Sequence, residues 1–208
     1  MTVYCGIKTL DFFSDPHIKA LPRDQQLAAM KFGCAVTYDD GTDEWREWTP
    51  DQIIDLYNYL RWCMQPVAGC NIIAFGWPVI IGNARRAGWK VLETKTMRFV
   101  DLFSEIRRTT GRWYKLEDVC QANLGRGKLA DEQKAAEWLR SGDPELISKA
   151  MTYCRHDVEL VVSLHGRLLD GEYLRLLPRS ERGELNEIWW RPDAIEWVPD
   201  AMGVVAMK

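Results

Sequence analysis

Tyr153 and Asp157 lie four residues apart in the stretch MTYCRHDVELVVSLH, Met151 to His165. On a helix that spacing puts both side chains on one face. A carboxylate can hold a divalent metal there, and a phenol one turn away can orient a water or touch a phosphate. At base rates such a pair is a half-buried aromatic and a solvated acid, so its meaning depends on what the rest of the chain brings to it. Other residues with chemical potential are Asp11, Asp15 and Asp101. Asp101 closes an apolar segment, RFVDLF. A group of cations, Arg107, Arg108, Arg112, Arg126 and Lys128, is interleaved with Trp113 and Tyr114. Alternating cations and aromatics suit a single-stranded nucleic acid, whose phosphates and base faces they can meet together. Arg126 and Lys128 sit in the Gly-flanked stretch LGRGK, where backbone could approach a phosphate, although the motif is too short for a P-loop. His156 adjoins Asp157 but points about 100° away from it on a helix, which suits a structural role. No Gly-x-Ser-x-Gly nucleophile motif occurs.

The elements that must position these residues follow from pattern. Val3 to Phe13 reads as a strand broken by Ser14-Asp15-Pro16, followed by a polar loop to about Gln26. Met30 to Tyr38 and Glu44 to Trp48 form a hairpin across Asp39-Asp40-Gly41. Thr49-Pro50-Asp51-Gln52 opens a helix with a capping box. Val67 to Phe75 and Arg98 to Phe103 read as further strands, with a helix from Trp77 to Gly88 between them. Helices are expected over Lys115–Leu124 and Asp131–Arg140, and a long one from Asp143-Pro144-Glu145 to Leu169. Three antiparallel strands followed by alternating elements predict an α/β fold with a mixed sheet flanked by helices.

Length and composition narrow the classes. A chain of 208 residues with 47 % apolar content suits one domain with a small appendage. The division expected is a folded unit over 1–170 and an irregular extension over 171–208, which carries Trp189, Trp190 and Trp197 with several prolines. No apolar run is long enough to span a bilayer, and the N-terminus lacks a signal pattern. Six Cys without a CxxC pair argue against zinc and fit a reducing cytoplasm. A net charge of −3 gives no global attraction to nucleic acid and leaves room only for a local basic groove.

This order of elements, from about Lys8 to Leu169, resembles the DEDD 3′–5′ exonucleases of the ribonuclease H-like superfamily. Thr9-Leu10-Asp11 looks like the first motif, Gly69-Cys70-Asn71-Ile72-Ile73-Ala74-Phe75 like the second, LEDVCQANLGRGK like the helix before the variable loop, and Tyr153-Cys154-Arg155-His156-Asp157 like the third in its tyrosine version. The resemblance implies a mixed five-stranded sheet and a two-metal phosphodiesterase site, with Mg²⁺ or Mn²⁺ held by an Asp and a Glu two residues apart on strand one, a second Asp after the Phe of the second motif, and a third on the last helix. It gives Asp11, Tyr153 and Asp157 catalytic places, Asp11 and Asp157 as metal ligands, and Asn71, Phe75, Arg126 and Lys128 as contacts to a single-stranded DNA or RNA 3′ end.

The sequence departs from that pattern twice. On this alignment Phe13 stands at the Glu position and Gly76 at the second Asp position. Two carboxylates hold one ion weakly and a pair poorly, so hydrolysis is expected to be weakened or lost and the chain to act as a nucleic-acid-binding pseudoenzyme, with a single weakly bound ion or none. Two alternatives stand beside it. One is an active exonuclease in which Asp101 or Asp15 substitutes as ligand. The other is a protein-interaction scaffold whose tail tryptophans anchor a partner.

Overall fold

The computed structural model describes residues 1–92, 97–177, 187–192 and 198–199. Its larger sheet has six strands in the spatial order Glu44–Trp48, Phe32–Asp39, Val3–Thr9, Val67–Gly69, Arg98–Asp101 and Val198–Pro199. Strand β1 (Val3–Thr9) pairs antiparallel with β2 (Phe32–Asp39), which pairs antiparallel with β3 (Glu44–Trp48). On its other side β1 runs parallel to β4 (Val67–Gly69), and β4 parallel to β5 (Arg98–Asp101). These five strands are the mixed sheet expected from the sequence. A sixth, β8 (Val198–Pro199), adds a two-residue antiparallel edge to β5.

Helices cover both faces. Alternation along β1 sends Val3 and Cys5 to one side and Tyr4 to the other. On the first side they meet α3 (Ile53–Trp62) and α4 (Trp77–Arg86) through Leu56, Tyr57, Trp77 and Ile80. On the second lie α5 (Leu102–Thr110), α6 (Leu116–Leu124) and α8 (Pro144–Leu169), contributing Ile106, Val119, Cys154, Val158 and Leu164. Helix α7 (Glu132–Arg140) packs on α8 and reaches the end of β1. Helix α8 starts as its sequence predicts: Asp143 caps it by accepting from the Glu145 N–H at 2.9 Å, Pro144 takes the first helical position, and Gly171 beyond its end has φ +84°.

Several sequence expectations differ from the structure, each for a local reason. β1 stops at Thr9 instead of Phe13, because its register with β2 shifts between Lys8 and Thr9. The polar loop before β2 contains two short helices, α1 (Pro16–Lys19) and α2 (Arg23–Ala29). Val67 to Phe75 is a strand only to Gly69. Asn71 then takes a left-handed conformation, φ 59°, and Ile72–Gly76 form a π-helical turn leading into α4. The strand expected over Arg98 to Phe103 ends at Asp101, whose side chain caps α5. The extension is not irregular throughout. β6 (Leu174–Leu176) pairs with β7 (Ile188–Trp190), and Leu174, Leu176 and Trp190 join the core beside α6 and α8. Trp197 lies outside the described residues.

Candidate functional site

The parallel strands β1, β4 and β5 all end on one side of the sheet, at Thr9, Gly69 and Asp101. Crevices of open α/β sheets form outside such strand ends. A cleft of about 870 Å³ opens here, and its wall includes Lys8, Asp11, Phe13, Asn71, Phe75 and Asp157. Lys128 and Glu132 close one flank, and Trp113 and Tyr114 another.

At its floor four charged groups meet. Lys8, on β1 and only 5 % exposed, donates to Asp157 Oδ2 at 2.6 Å and to Glu132 Oε2 at 2.9 Å. Lys128 pairs with Asp157 at 3.3 Å and also donates to Glu132. The Tyr153 hydroxyl donates to Glu132 at 3.2 Å, and the Lys8 ammonium sits 4.0 Å from the centre of the Tyr153 ring. Two ammoniums and two carboxylates thus neutralise one another. Burial alone would lower the Lys8 pKa, yet Asp157 and Glu132 outweigh it and raise it well above the usual lysine value. Burial would likewise raise Glu132, but Lys8 and Lys128 bring it down to about 2. Its side chain is 55 % exposed, so solvent screens that pairing and the direction matters more than the size. Burial pushes the Tyr153 phenol up to about 12, so it stays protonated and able to donate.

Three residues of the wall each have a buried polar atom with no partner among the described residues: Asp157 Oδ1, Asn71 Oδ1 and the Tyr114 hydroxyl. A buried polar atom left unpaired costs about 1–3 kcal/mol, which a water or a polar ligand group would relieve. The rim is aromatic: Phe13 and Phe75 meet edge to face at 6.3 Å, Arg23 stacks on Phe13 at 4.8 Å, and Arg107 stacks on the exposed Trp113 at 4.3 Å.

The residues singled out from sequence are sorted by this geometry. Asp157, Asn71, Phe75 and Lys128 line the cleft, while Tyr153 is buried behind it and meets the charged cluster through Glu132 and Lys8. Asp11 also lines it, but as a backbone anchor past the end of β1. It accepts the Lys31 N–H at 2.6 Å, faces His17 at 3.3 Å, and shares no partner with Asp157. Phe13 lies in a turn and faces Phe75, not a strand position. Arg126 points away from the cleft and donates to Ser163 at 2.9 Å. Asp101 gives both oxygens to backbone, accepting from Asn71 and Ile73 at 3.0 Å and from Phe103 and Ser104 at 3.1 Å. It holds the π-helical turn and the start of α5, with three bonds on Oδ1 and one on Oδ2. Asp15 is similarly engaged by the Phe12 N–H and Arg140. His156 bonds the Gly127 carbonyl and so shapes the loop that presents Lys128. Lys8 and Glu132 escaped the sequence reading. A lysine inside the apolar strand VYCGIKT was the available signal, since a buried lysine needs acids around it.

No family model and no curated protein matches this sequence. Among solved structures the chain is similar to a family B DNA polymerase from the hyperthermophilic archaeon Pyrobaculum calidifontis, with a TM-score of 0.58 over 81 % of this chain at 14 % identity. The fold is ribonuclease H-like. This chain spans 24 % of that polymerase, and at such identity the likeness speaks for the fold alone.

The family resemblance implies a pair of divalent ions. The residues present do not fit them. Lys8 places an ammonium against Asp157, Asp101 is spent on backbone, and among the described residues no three of His, Cys, Asp and Glu converge as a cage.

Proposed function

We propose that this chain binds a single-stranded DNA or RNA 3′ end in the cleft at the strand ends, with hydrolysis weakened or lost. The observation that carries the reading is the cleft at the parallel strand ends, rimmed by Phe13, Phe75 and Trp113. Aromatic rings accept bases without regard to sequence, each stacked base contributing about 1–3 kcal/mol. Lys115 on the wall, with Arg23 and Arg107 behind the rings, offers cations to a phosphate backbone at the rim of a lining in which Asp11, Glu117, Asp131, Glu132 and Asp157 outnumber the lysines. The ribonuclease H-like fold and the nucleic-acid-handling polymerase it resembles are consistent with this ligand. Weakened hydrolysis follows from the floor: Lys8 and Lys128 satisfy the acids that would otherwise need a cation. The active alternative finds no support in Asp101 or Asp15, whose carboxylates are already bound.

Fluorescence anisotropy with a 5′-labelled oligonucleotide that keeps a free 3′ end tests the reading. Binding should weaken as salt rises, and Phe13→Ala or Phe75→Ala should weaken it roughly 5- to 100-fold with folding intact. Unchanged affinity in both variants would remove the cleft as the site.

A further inference from the structure

We infer that Lys8 is a tethered substitute for the divalent cation of this site, and that Gly6 and Lys8, not Asp11 and Phe13, occupy the two strand-one positions from which acids would face Asp157. The inference rests on reading the cleft as a changed metal site. Residues two apart on a strand share a face. On β1 the face toward α8 carries Tyr4, Gly6 and Lys8: Tyr4 bonds His165, a Cβ on Gly6 would meet Val158 Cγ2 at 2.8 Å, and Lys8 meets Asp157. Asp11 and Phe13 come after the strand has ended.

The remaining positions agree. A Cβ on Gly76 would meet Ile72 Cδ1 at 2.6 Å, so a methyl group fills the space a side chain would enter there. Beside Gly6 the methyl of Val158 does the same. Apolar groups have closed in where carboxylates would project, and the Lys8 ammonium, with Lys128 beside it, stands where ions would be held. Lys8 meets a cation's requirements: it is buried, touched by two carboxylates and faced by an aromatic ring. Lys8 and Lys128 bridge Asp157 Oδ2 and Glu132 without any metal, and a divalent ion spanning those two carboxylates would have to displace an ammonium.

Mn²⁺ titration without nucleic acid tests this separately from oligonucleotide binding. Thermal unfolding is followed from zero to 1 mM Mn²⁺ for the parent chain, Lys8→Glu, Lys8→Gln and Phe13→Glu. The parent and Phe13→Glu should not respond. Lys8→Glu should gain a saturable rise of roughly 3–5 °C for a site near 0.1 mM affinity, abolished by adding Asp157→Asn. Should Lys8→Glu fail to fold with or without Mn²⁺, Lys8→Gln decides, with a smaller rise expected. A saturable rise in the parent that Asp157→Asn removes, a rise in Phe13→Glu, or none in either Lys8 variant that folds would overturn the inference, whatever the oligonucleotide assay shows.

Discussion

Asp101 and Asp157 are both buried acids beside the same cleft, 4 % and 8 % exposed, yet they are held by opposite means. Asp101 is surrounded by four backbone N–H groups and belongs to the architecture. Asp157 is held by two lysine side chains on one oxygen and keeps the other unpartnered. The difference shows how to tell a structural acid from a site acid. Backbone donors fix chain direction and cannot be exchanged for a ligand, whereas side-chain cations and an open oxygen can.

Substitution should separate the two. Asp101→Ala leaves four N–H groups short of an acceptor and removes a helix cap, so chemical denaturation should show a loss of about 3–5 kcal/mol. Oligonucleotide affinity per folded molecule should change little. Asp157→Asn keeps the shape and should cost less stability, about 1–3 kcal/mol, because Lys8 retains Glu132. Its effect should appear in binding. Removing a negative charge from a neutral cluster should tighten binding to an anionic strand several-fold at low salt, measured by anisotropy. Loss of binding would show that the open carboxylate oxygen itself contacts the ligand. Loss of affinity in Asp101→Ala at constant folded fraction would blur the comparison.

The pH dependence sharpens it further. Glu132 has its pKa lowered from 4.5 to about 2, so its pairing stabilises the fold above about 4.5 and that contribution disappears as pH falls toward 2. Unfolding free energy measured across that window should fall more steeply in the parent than in Glu132→Gln. Away from the cleft, burial lowers the pKa of His165 below the usual 6.5. The unfolded chain then binds the proton more readily, and stability declines as pH falls below 6.5. This smaller acid limb should be absent from His165→Gln, whatever that substitution does to stability at neutral pH.

Much of the fold was legible because it rests on local signals. The capping box at Thr49, the Asp143-Pro144 start of α8 and the Asp39-Asp40-Gly41 turn signal between β2 and β3 are each written in neighbouring residues. The strand ends were not. β1 stops at Thr9 and β4 at Gly69 because of a register shift with β2 and because Asp101, about thirty residues on in the chain, captures the backbone N–H groups of Asn71 and Ile73. Both causes are non-local. With β1 drawn too long, the sequence reading set Asp11 and Phe13 on the strand, whereas both follow its end at Thr9. Tyr153 and Asp157 were placed correctly by helical spacing alone, while Glu132 could enter only through the packing of α7 against α8.

The most direct measurement is incubation of a 5′-labelled single strand with the parent chain in Mn²⁺ and in EDTA, reading affinity and strand length together. The account predicts equal affinity in both and no shortening. Mn²⁺-dependent shortening that Asp157→Ala abolishes would contradict it, because Lys8 would then have left room for a working metal site.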